Sequence, residues 1–299
     1  MTREEFLKKI GSINTWKRGG QRAPHKPLLL LFALGRILNG GKRFLTYEEI
    51  EPHLNELLRK FGTPRNSLHP EAPFSHLCTD GLWKVQGADD LPRTASGTFR
   101  VRALRSQKAE GGLPAAVHEL LQARPALALE AVQEILKSHF PLSLHEEIRD
   151  AVDIPSAWEV RDQPQRTRAP GFRRNVLREY QRRCAVCDFD VRLGDELMGL
   201  EAAHIKWHSH GGPDDVTNGL ALCGLHHKAL DRGALGLMMG GSGIRVVISS
   251  DVTGLSDPAQ WILGFHRQPL RRPRNPQLAP KGEYVRWHER EVFRKPALP

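Results

Sequence analysis

The spacing of apolar and polar positions predicts that the chain begins with helices. Two capping boxes, Thr2 with Glu5 and Thr46 with Glu49, each precede apolar residues that recur at helical spacing. Between them, a strongly apolar run from Pro27 to Asn39 predicts a buried helix that ends at a pair of glycines.

The middle of the amino-terminal half adds strands to these helices. Apolar runs predict strands over Leu82–Val85 and Thr98–Leu104, and helical spacing then predicts two or three more helices over Pro114–Val152. We expect Ser143, with Glu146 three residues later, to cap the last of these helices. Helices followed by a two-stranded wing predict a mixed α+β fold with a mostly helical, winged-helix-like, DNA-reading domain at the amino terminus, although another α+β layout would give the same periodicities.

A change of composition divides the chain. Proline, glycine and arginine dominate between Asp153 and Gly171, as is typical of an interdomain linker. We expect a first domain over residues 1–160, a linker over 161–170 and a second domain over 171–299, which suits a length of 299 residues.

Charge and hydropathy restrict the class of protein. The formal net charge is +10 at pH 7, which favours a polyanionic partner, although a generally basic, solvated surface would give the same value. The longest apolar run, Leu28–Leu34, is far shorter than the ~20 residues that cross a bilayer. Residues 1–9 are charged and contain no apolar segment of a secretory signal. We therefore expect a cytoplasmic protein without a membrane partner.

Three of the four cysteines lie in one segment rich in cysteine and histidine. Cys184 and Cys187 enclose two residues, and Cys223 and His226 enclose two more. Three sulfurs and one nitrogen form a closed tetrahedral set that suits a structural Zn²⁺. A chance cluster, or use of His227 as the fourth ligand, stays open.

Three further polar residues are interleaved with these ligands. His204 ends the stretch Leu200–His204, Asn218 precedes a glycine, and His227 directly follows His226. In order and spacing, the seven residues resemble the ββα-metal motif of McrA-type HNH endonucleases. The carboxy-terminal tail is also similar to the extension of such enzymes.

This resemblance implies a role for each residue. His204 would be the general base, since a neutral imidazole accepts a proton at physiological pH. His227 would bind one catalytic divalent ion, Mg²⁺ or Mn²⁺. Asn218 would orient the ring of His204 or help to bind that ion.

One position departs from the family pattern. Many members have an aspartate ligand directly before the base, where this chain has Ala203. Glu201 or Asp231 could compensate, and either could equally lie behind the ligands or at the surface.

The amino-terminal part carries a second resemblance. Cations precede the apolar helix in the segment Arg18–Pro27, where side chains and helix amides could bind phosphate together, although a solvated basic loop would have the same sequence. The run Ala23–Leu30 resembles the sulfur-binding domain of HNH enzymes that restrict phosphorothioated DNA, over roughly residues 1–160. In that family a shallow apolar pocket around a proline receives the sulfur, and Ser67–Phe74 is the corresponding loop.

The resemblance implies which residues contact modified DNA. His69, Pro70 and Pro73 would form the pocket wall, with Ala72 as a further member, unless the loop is only a proline-stiffened surface turn. Sulfur is larger, more polarisable and less strongly hydrated than oxygen, so an apolar wall should favour it. His69 stands where the family usually has an aromatic ring. The expected phosphate or base contacts are Arg18, Arg22, His25, Lys26 and Arg93.

These patterns predict a modification-dependent endonuclease of the type IV restriction class, acting on double-stranded DNA that carries a phosphorothioate. Two single-strand cuts are needed to break a duplex, and a homodimer is one arrangement that would supply both cuts. Two other functions stay open. An HNH nuclease for methylated cytosine would need a pocket for a flipped base. A non-catalytic zinc DNA-binding protein would have no use for His204, Asn218 and His227.

Overall fold

A computed structural model describes residues 1–13, 24–65, 67–154, 171–241 and 243–299. The chain divides into two compact units, Met1–Glu159 and Val160–Pro299. The predicted linker over 161–170 lies outside the described residues. Among the helices of the described ranges, none has the length and apolar character that a bilayer crossing requires.

The described part of the amino-terminal unit is mostly helical. Its helices are α1 (Arg3–Gly11), α2 (His25–Leu38), α3 (Tyr47–Phe61), α4 (Glu71–His76), α5 (Val101–Ser106), α6 (Ala115–Ala123), α7 (Pro125–His139) and α8 (His145–Ala151). Its strands are β1 (Phe44–Thr46), β2 (Lys84–Val85) and β3 (Glu110–Gly112), which form an antiparallel sheet in the order β1–β3–β2. From α2 to β3 the elements follow as one helix (α2), one strand (β1), two helices (α3 and α4) and two strands (β2 and β3), with the short α5 between the last two. This is the order of the predicted winged-helix arrangement.

The core of this unit surrounds α2. Residues 27–35 are buried around the whole circumference of the helix, because α3, α4 and α7 all pack against it. Both predicted capping boxes are confirmed: the side chains of Thr2 and Thr46 each accept a hydrogen bond from the backbone N–H three residues later. The packing of α4 on α2 fixes the loop that precedes α4.

The predicted strand Thr98–Leu104 is wrong. Most of it forms α5, because Ala103 and Leu104 face the core while Arg102 and Arg105 face solvent, which is a helical and not an alternating pattern. The strand that completes the sheet is β3, whose two glycines gave no strand signal. The predicted strand Leu82–Val85 is confirmed as β2, so the wing exists, with β3 in place of Thr98–Leu104 as its second strand.

The three helices α6, α7 and α8 confirm the helical prediction for Pro114–Val152. The predicted cap of the last helix is wrong. A 3₁₀ turn over Leu142–Leu144 leads into α8, and its N-cap residue is Leu144, which makes no capping side-chain bond. Because Leu144 is buried, packing and not capping sets where this helix begins.

The carboxy-terminal unit is built from helices and two-stranded ribbons. Its described elements are α9 (Phe172–Glu179), β4 (Arg192–Leu193), β5 (Glu196–Leu197), β6 (Leu200–His204), β7 (Gly219–Cys223), α10 (Gly224–Asp231), β8 (Leu235–Gly240), β9 (Gly243–Ile248), α11 (Asp257–Leu263) and α12 (Gly282–Glu291). Each of the pairs β4–β5, β6–β7 and β8–β9 is antiparallel. The consecutive β6, β7 and α10 form the expected ββα unit.

Helix α9 packs closely against the end of this ribbon. In the register of β6 and β7, His204 lies opposite Gly219. A Cβ at Gly219 would lie 2.5 Å from Cγ2 of Val176, so only glycine allows α9 to approach so closely. This contact brings Phe172 of α9 beneath the ring of His204.

Candidate functional site

A cluster of four metal-ligating side chains lies within the core of the carboxy-terminal unit. Cys184, Cys187, Cys223 and His226 have ligand atoms that all lie within 4.8 Å of one another. The Sγ atoms of Cys187 and Cys223 are 3.9 Å apart, and Nδ1 of His226 lies 3.2 Å from Sγ of Cys223. Zn–S bonds of about 2.3 Å in a tetrahedron would put the sulfurs about 3.8 Å apart, so the residues fit one zinc ion.

The elements around this cluster explain its position. The first two cysteines lie in a knuckle after α9, whose backbone N–H at Ala185 donates to the carbonyl of Ala221 in β7. The other two ligands lie at the end of β7 and in the first turn of α10. The ring of His226 packs against Trp261 and Phe265. A closed and buried set of this kind joins three segments of chain and offers no open position to a substrate.

His204 lies at the end of β6 and is held on two sides. Its ring stacks on Phe172, with centroids 4.2 Å apart and an interplanar angle of 11°. Its Nε2 lies 2.8 Å from Oδ1 of Asp214. An ionised carboxylate only accepts hydrogen bonds, so Nε2 carries the proton and Nδ1 is the basic nitrogen.

Asn218 is completely buried and its amide binds backbone groups. Its Nδ2 donates to the carbonyls of Lys206 and Pro213, at 3.0 Å each, and its Oδ1 accepts from the N–H of Lys206 at 2.9 Å. Asn218 therefore joins the two ends of the loop that carries Asp214. Its side-chain oxygen and nitrogen thus both bind backbone groups of that loop.

His227 lies on α10 between two carboxylates. Its Nδ1 contacts Glu201 of β6, and its Nε2 lies 3.3 Å from Oδ2 of Asp231, one turn later on α10. Burial lowers the pKa of His227, but Asp231 and Glu201 outweigh it and raise the pKa to about 9. The two carboxylates differ in exposure, since the side chain of Glu201 is 48% exposed and that of Asp231 is 2% exposed. Of these two carboxylates, Glu201 is therefore the one that solvent reaches.

Ala203 is buried in the ladder opposite Leu220. Because side chains alternate along a strand, Glu201 and Ala203 project to the same side of β6. Glu201 is thus the nearest acidic side chain along β6 to the position where related enzymes have an aspartate.

The amino-terminal unit brings the start of α2 against the loop Ser67–Phe74. Nε2 of His25 donates to the carbonyl of Leu68 at 3.1 Å. Burial is the largest of the effects that lower the pKa of His25, so its ring is neutral. His69 has a positive φ of 52° and an exposed side chain that bonds Ser67 and Glu71. Of the other predicted pocket residues, Pro70 and Pro73 are buried and Ala72 is half-buried.

The two described cations of the predicted DNA-contact set are each fixed by a neighbour. Lys26 makes an ion pair of 2.6 Å with Asp80, and both side chains are largely buried. Arg93 lies between β2 and α5, with its guanidinium 3.9 Å from the ring centroid of Phe99. His76, at the end of α4, is close enough to both cations to be affected by their charges. Burial lowers its pKa most, and the charges of Lys26 and Arg93 lower it further. Arg18 and Arg22 lie outside the described residues.

Three residues at these sites were absent from the sequence prediction. Asp214 lies in a polar loop where one aspartate looks like another, and Phe172 looks like any core residue. His76 was hidden in a short helix with no repeated pattern. Their contacts in the structure distinguish them. Asp214 is hydrogen-bonded to His204, and Phe172 stacks on the same ring. His76 is affected by the charges of Lys26 and Arg93.

Two families match the chain. The family described as "ScoMcrA-like, DNA sulfur-binding domain" matches residues 3–156, and the "HNH endonuclease" family matches residues 184–238. The comparison with curated proteins gave no match.

Solved structures similar to the chain include two sulfur-binding domains complexed with phosphorothioated DNA. That of ScoMcrA is 23% identical with a TM-score of 0.45, over 50% of this chain and 95% of that chain. That of SprMcrA is 22% identical with a TM-score of 0.44, over 52% and 95%. The type IV phosphorothioation-dependent restriction endonuclease ScoMcrA is 24% identical with a TM-score of 0.44, over 49% of this chain and 33% of its own length.

Proposed function

The chain belongs to the ScoMcrA-like DNA sulfur-binding domain family, and on this premise we propose that it is a nuclease that recognises phosphorothioated DNA and hydrolyses nearby phosphodiester bonds. An HNH endonuclease domain follows the sulfur-binding domain in the same chain. The observation that carries the proposal is the assembly of His204 with Asp214 and of His227 with Glu201 around one ββα unit.

In the recognition half, the neutral ring of His25 and the prolines of the loop Ser67–Phe74 support sulfur binding. We propose that His69, Pro70 and Pro73 line the sulfur, and that Lys26, Arg93 and the undescribed Arg18 and Arg22 contact neighbouring phosphates. A neutral, weakly hydrating wall disfavours an ordinary phosphate oxygen, which loses more hydration on entry than sulfur does. The ion pair between Lys26 and Asp80 fixes the position of the ammonium group.

In the nuclease half, His204 acts as the general base. Its Nδ1 accepts a proton from a water molecule, and the water oxygen attacks the phosphorus while the bond to the leaving oxygen breaks. Asp214 holds the proton on Nε2 and stabilises the imidazolium that forms, in the manner of the carboxylate in a catalytic triad. Phe172 prevents the ring from tilting, and Asn218 fixes the loop that presents Asp214.

We propose that one catalytic divalent ion binds beside His227. A carboxylate oxygen of Glu201 and Nδ1 of His227 would bind Mg²⁺ or Mn²⁺. Asp231 would accept the hydrogen bond from Nε2 and fix the ring, as carboxylates behind ligating histidines do. When bound, the ion supplies positive charge that stabilises the additional negative charge of the reacting phosphate.

The zinc ion has a separate, structural role in this proposal. The set Cys184, Cys187, Cys223 and His226 is closed, so it holds α10 against the knuckle and thereby positions His227, the next residue after His226. We further propose that two copies act together on a duplex, because each centre supplies one base and one cut. Light scattering of the protein with and without DNA tests this point.

The experiment that tests the function compares two duplexes that differ only by one sulfur in the backbone. Each is incubated with the zinc-loaded chain and Mg²⁺ or Mn²⁺, and with a His204→Ala variant as the control. We expect cutting of the sulfur-bearing duplex only, with a rate at least about a hundredfold lower for the variant. Equal cutting of both duplexes would retain the nuclease and reject sulfur recognition. Cutting of a duplex with methylated cytosine alone would change the target, and no cutting at all would favour a non-catalytic DNA-binding protein.

A further inference from the structure

The segment that joins α11 to α12 concentrates positive charge. Between residues 258 and 282 the chain contains no aspartate or glutamate, but it contains five cations. These are Arg267, Arg271, Arg272, Arg274 and Lys281. We call residues 267–281 the cationic strip. None of these residues belongs to the zinc cluster or to the centre around His204.

The cationic strip has a fixed path over the carboxy-terminal unit. At its start, Arg267 N–H donates to the carbonyl of Val246 in β9. Next, Arg271 N–H donates to the carbonyl of Ala185 in the zinc knuckle, and Arg274 N–H donates to the carbonyl of Glu179 at the end of α9. These bonds, together with four prolines in the strip, leave little backbone freedom to be lost when a ligand binds.

The apolar and charged side chains of the strip face in opposite directions. Leu270, Pro273 and Pro280 are buried against the unit. Arg267, Arg272, Arg274 and Lys281 are exposed, and Arg271 is half-buried beside Asp188. The strip therefore presents a row of cations to solvent on a rigid, apolar base.

The row ends beside the candidate active centre. Lys281 N–H donates to the carbonyl of Thr217 at 3.0 Å, one residue before Asn218. After the bonds from Thr217, the charge of Lys281 also lowers the pKa of Asp215, so its ammonium group lies near the loop that carries Asp214. On the other flank, α9 exposes Arg174 and Arg178 while its Phe172 supports His204. Cations thus lead to the centre from two neighbouring segments.

We propose that the cationic strip binds the phosphate backbone of DNA independently of sequence and leads the strand to His204. The inference rests on the proposed nuclease function and adds the surface by which the nuclease unit itself holds its substrate. Phosphates along a strand recur every few ångströms, and a rigid row of arginines can contact several of them at once. Such contacts supply affinity and position, while the choice of site is left to the amino-terminal unit.

The test uses the full, zinc-loaded chain with an unmodified duplex and no added divalent ion. Fluorescence anisotropy gives Kd at several salt concentrations for wild type and for an Arg272→Ala/Arg274→Ala variant. Each lost phosphate contact reduces the slope of log K against log salt by about 0.9, so the double variant should lower it by about two. The control, Arg192→Ala/Lys295→Ala, removes two exposed cations elsewhere in the unit, so both variants fall from +10 to +8.

The outcomes separate this inference from the proposed function. We expect the strip variant to bind at least tenfold more weakly at low salt, on the order expected for two lost contacts, and an Arg272→Lys/Arg274→Lys variant to recover most of the slope. Equal slopes for the strip variant and the control would overturn the inference, even if wild type cuts phosphorothioated DNA. A selective loss of slope in a protein that cuts no DNA would retain the strip and reject the nuclease. If the strip variant bound duplex DNA normally but lost affinity for RNA alone, DNA would be the wrong ligand.

Discussion

Two pairs of histidines, one pair in each unit, have opposite electrostatic surroundings. In the amino-terminal unit, His25 and His145 are half-buried with backbone carbonyls as partners, and burial lowers the pKa of both. In the carboxy-terminal unit, His226 and His227 are more completely buried, but anionic partners outweigh burial and raise the pKa of each to about 9. The first pair serves as neutral, shape-forming groups, whereas the second pair lies beside thiols and carboxylates that also attract metal ions.

Zinc removal is expected to give the largest difference between the units. A structural zinc site contributes about 10 kcal/mol or more to folding in small zinc domains, so chelation should unfold the carboxy-terminal unit only. Differential scanning calorimetry should then lose one transition and retain that of the amino-terminal unit. A Cys78→Ala variant, which lacks the remaining cysteine, is the control and should keep both transitions. Loss of both transitions on chelation would contradict the separation of the two units.

Replacement of His204 should separate cleavage from recognition. A His204→Ala variant loses the proton acceptor, and cleavage should fall by about 10²–10⁴-fold while Kd for the phosphorothioated duplex stays unchanged. Single-turnover gel assays and anisotropy measure the two quantities. His208→Ala is the matched control, because its ring centroid lies 5.9 Å from that of His204 without a role in the proposal. Equal losses in both variants would reject His204 as the base.

Replacement of Glu201 should weaken the catalytic ion and leave the zinc in place. In Glu201→Gln, His227 loses the exposed carboxylate next to its ring, and the affinity for Mn²⁺ should fall by about a hundredfold. Calorimetric titration of the zinc-loaded protein without DNA measures this affinity, and Glu196→Gln, an exposed glutamate on β5, is the control. Unchanged Mn²⁺ binding would show that Glu201 does not replace the ligand absent at Ala203.

A smaller effect is expected for Asp214. In Asp214→Asn, His204 loses the anion that fixes its tautomer, and kcat should fall by about tenfold with little change in KM. Asp214→Glu keeps the carboxylate and should recover part of the loss. If both variants had wild-type kcat, the hydrogen bond to His204 would have no role in the reaction.

The smallest effect is expected from mild acidification of the amino-terminal unit. Because the folded-state pKa values of His25 and His145 are lowered, the unfolded chain binds protons first as pH falls through about 6.5. The stability contributed by the neutral rings is complete above that pH and is lost as pH falls toward the folded pKa values. Thermal unfolding between pH 7.5 and 5 should show a shallower decline for His145→Gln. An identical decline in the variant would exclude His145 as a source of the stability lost at low pH.

Much of the nuclease unit could be predicted from the sequence, because the residue patterns that indicate it each lie within a few neighbouring residues. The gaps between Cys184 and Cys187 and between Cys223 and His226 are short, and each gap lies within one turn or knuckle. The stretch that ends at His204, which carries part of the resemblance to the ββα motif, forms β6. The error at Thr98–Leu104 arose where a six-residue helix is too short for its period to be distinguished from a strand.

By itself, the sequence determined the two-part organisation into a helical amino-terminal region and a ββα region, the metal-ligand set, and the positive charge. These depend on composition and on spacings of a few residues, which backbone geometry converts directly into shape. Only the tertiary structure decided which carboxylate serves which histidine. Asp214 meets His204 because Asn218 closes a loop, and Glu201 meets His227 because β6 lies beside α10. The arginines after α11 lie on the zinc knuckle and on α9 because the carbonyls of Ala185 and Glu179 accept their backbone N–H groups. These contacts depend on how loops close and elements pack, which no local pattern of hydrophobicity or charge encodes.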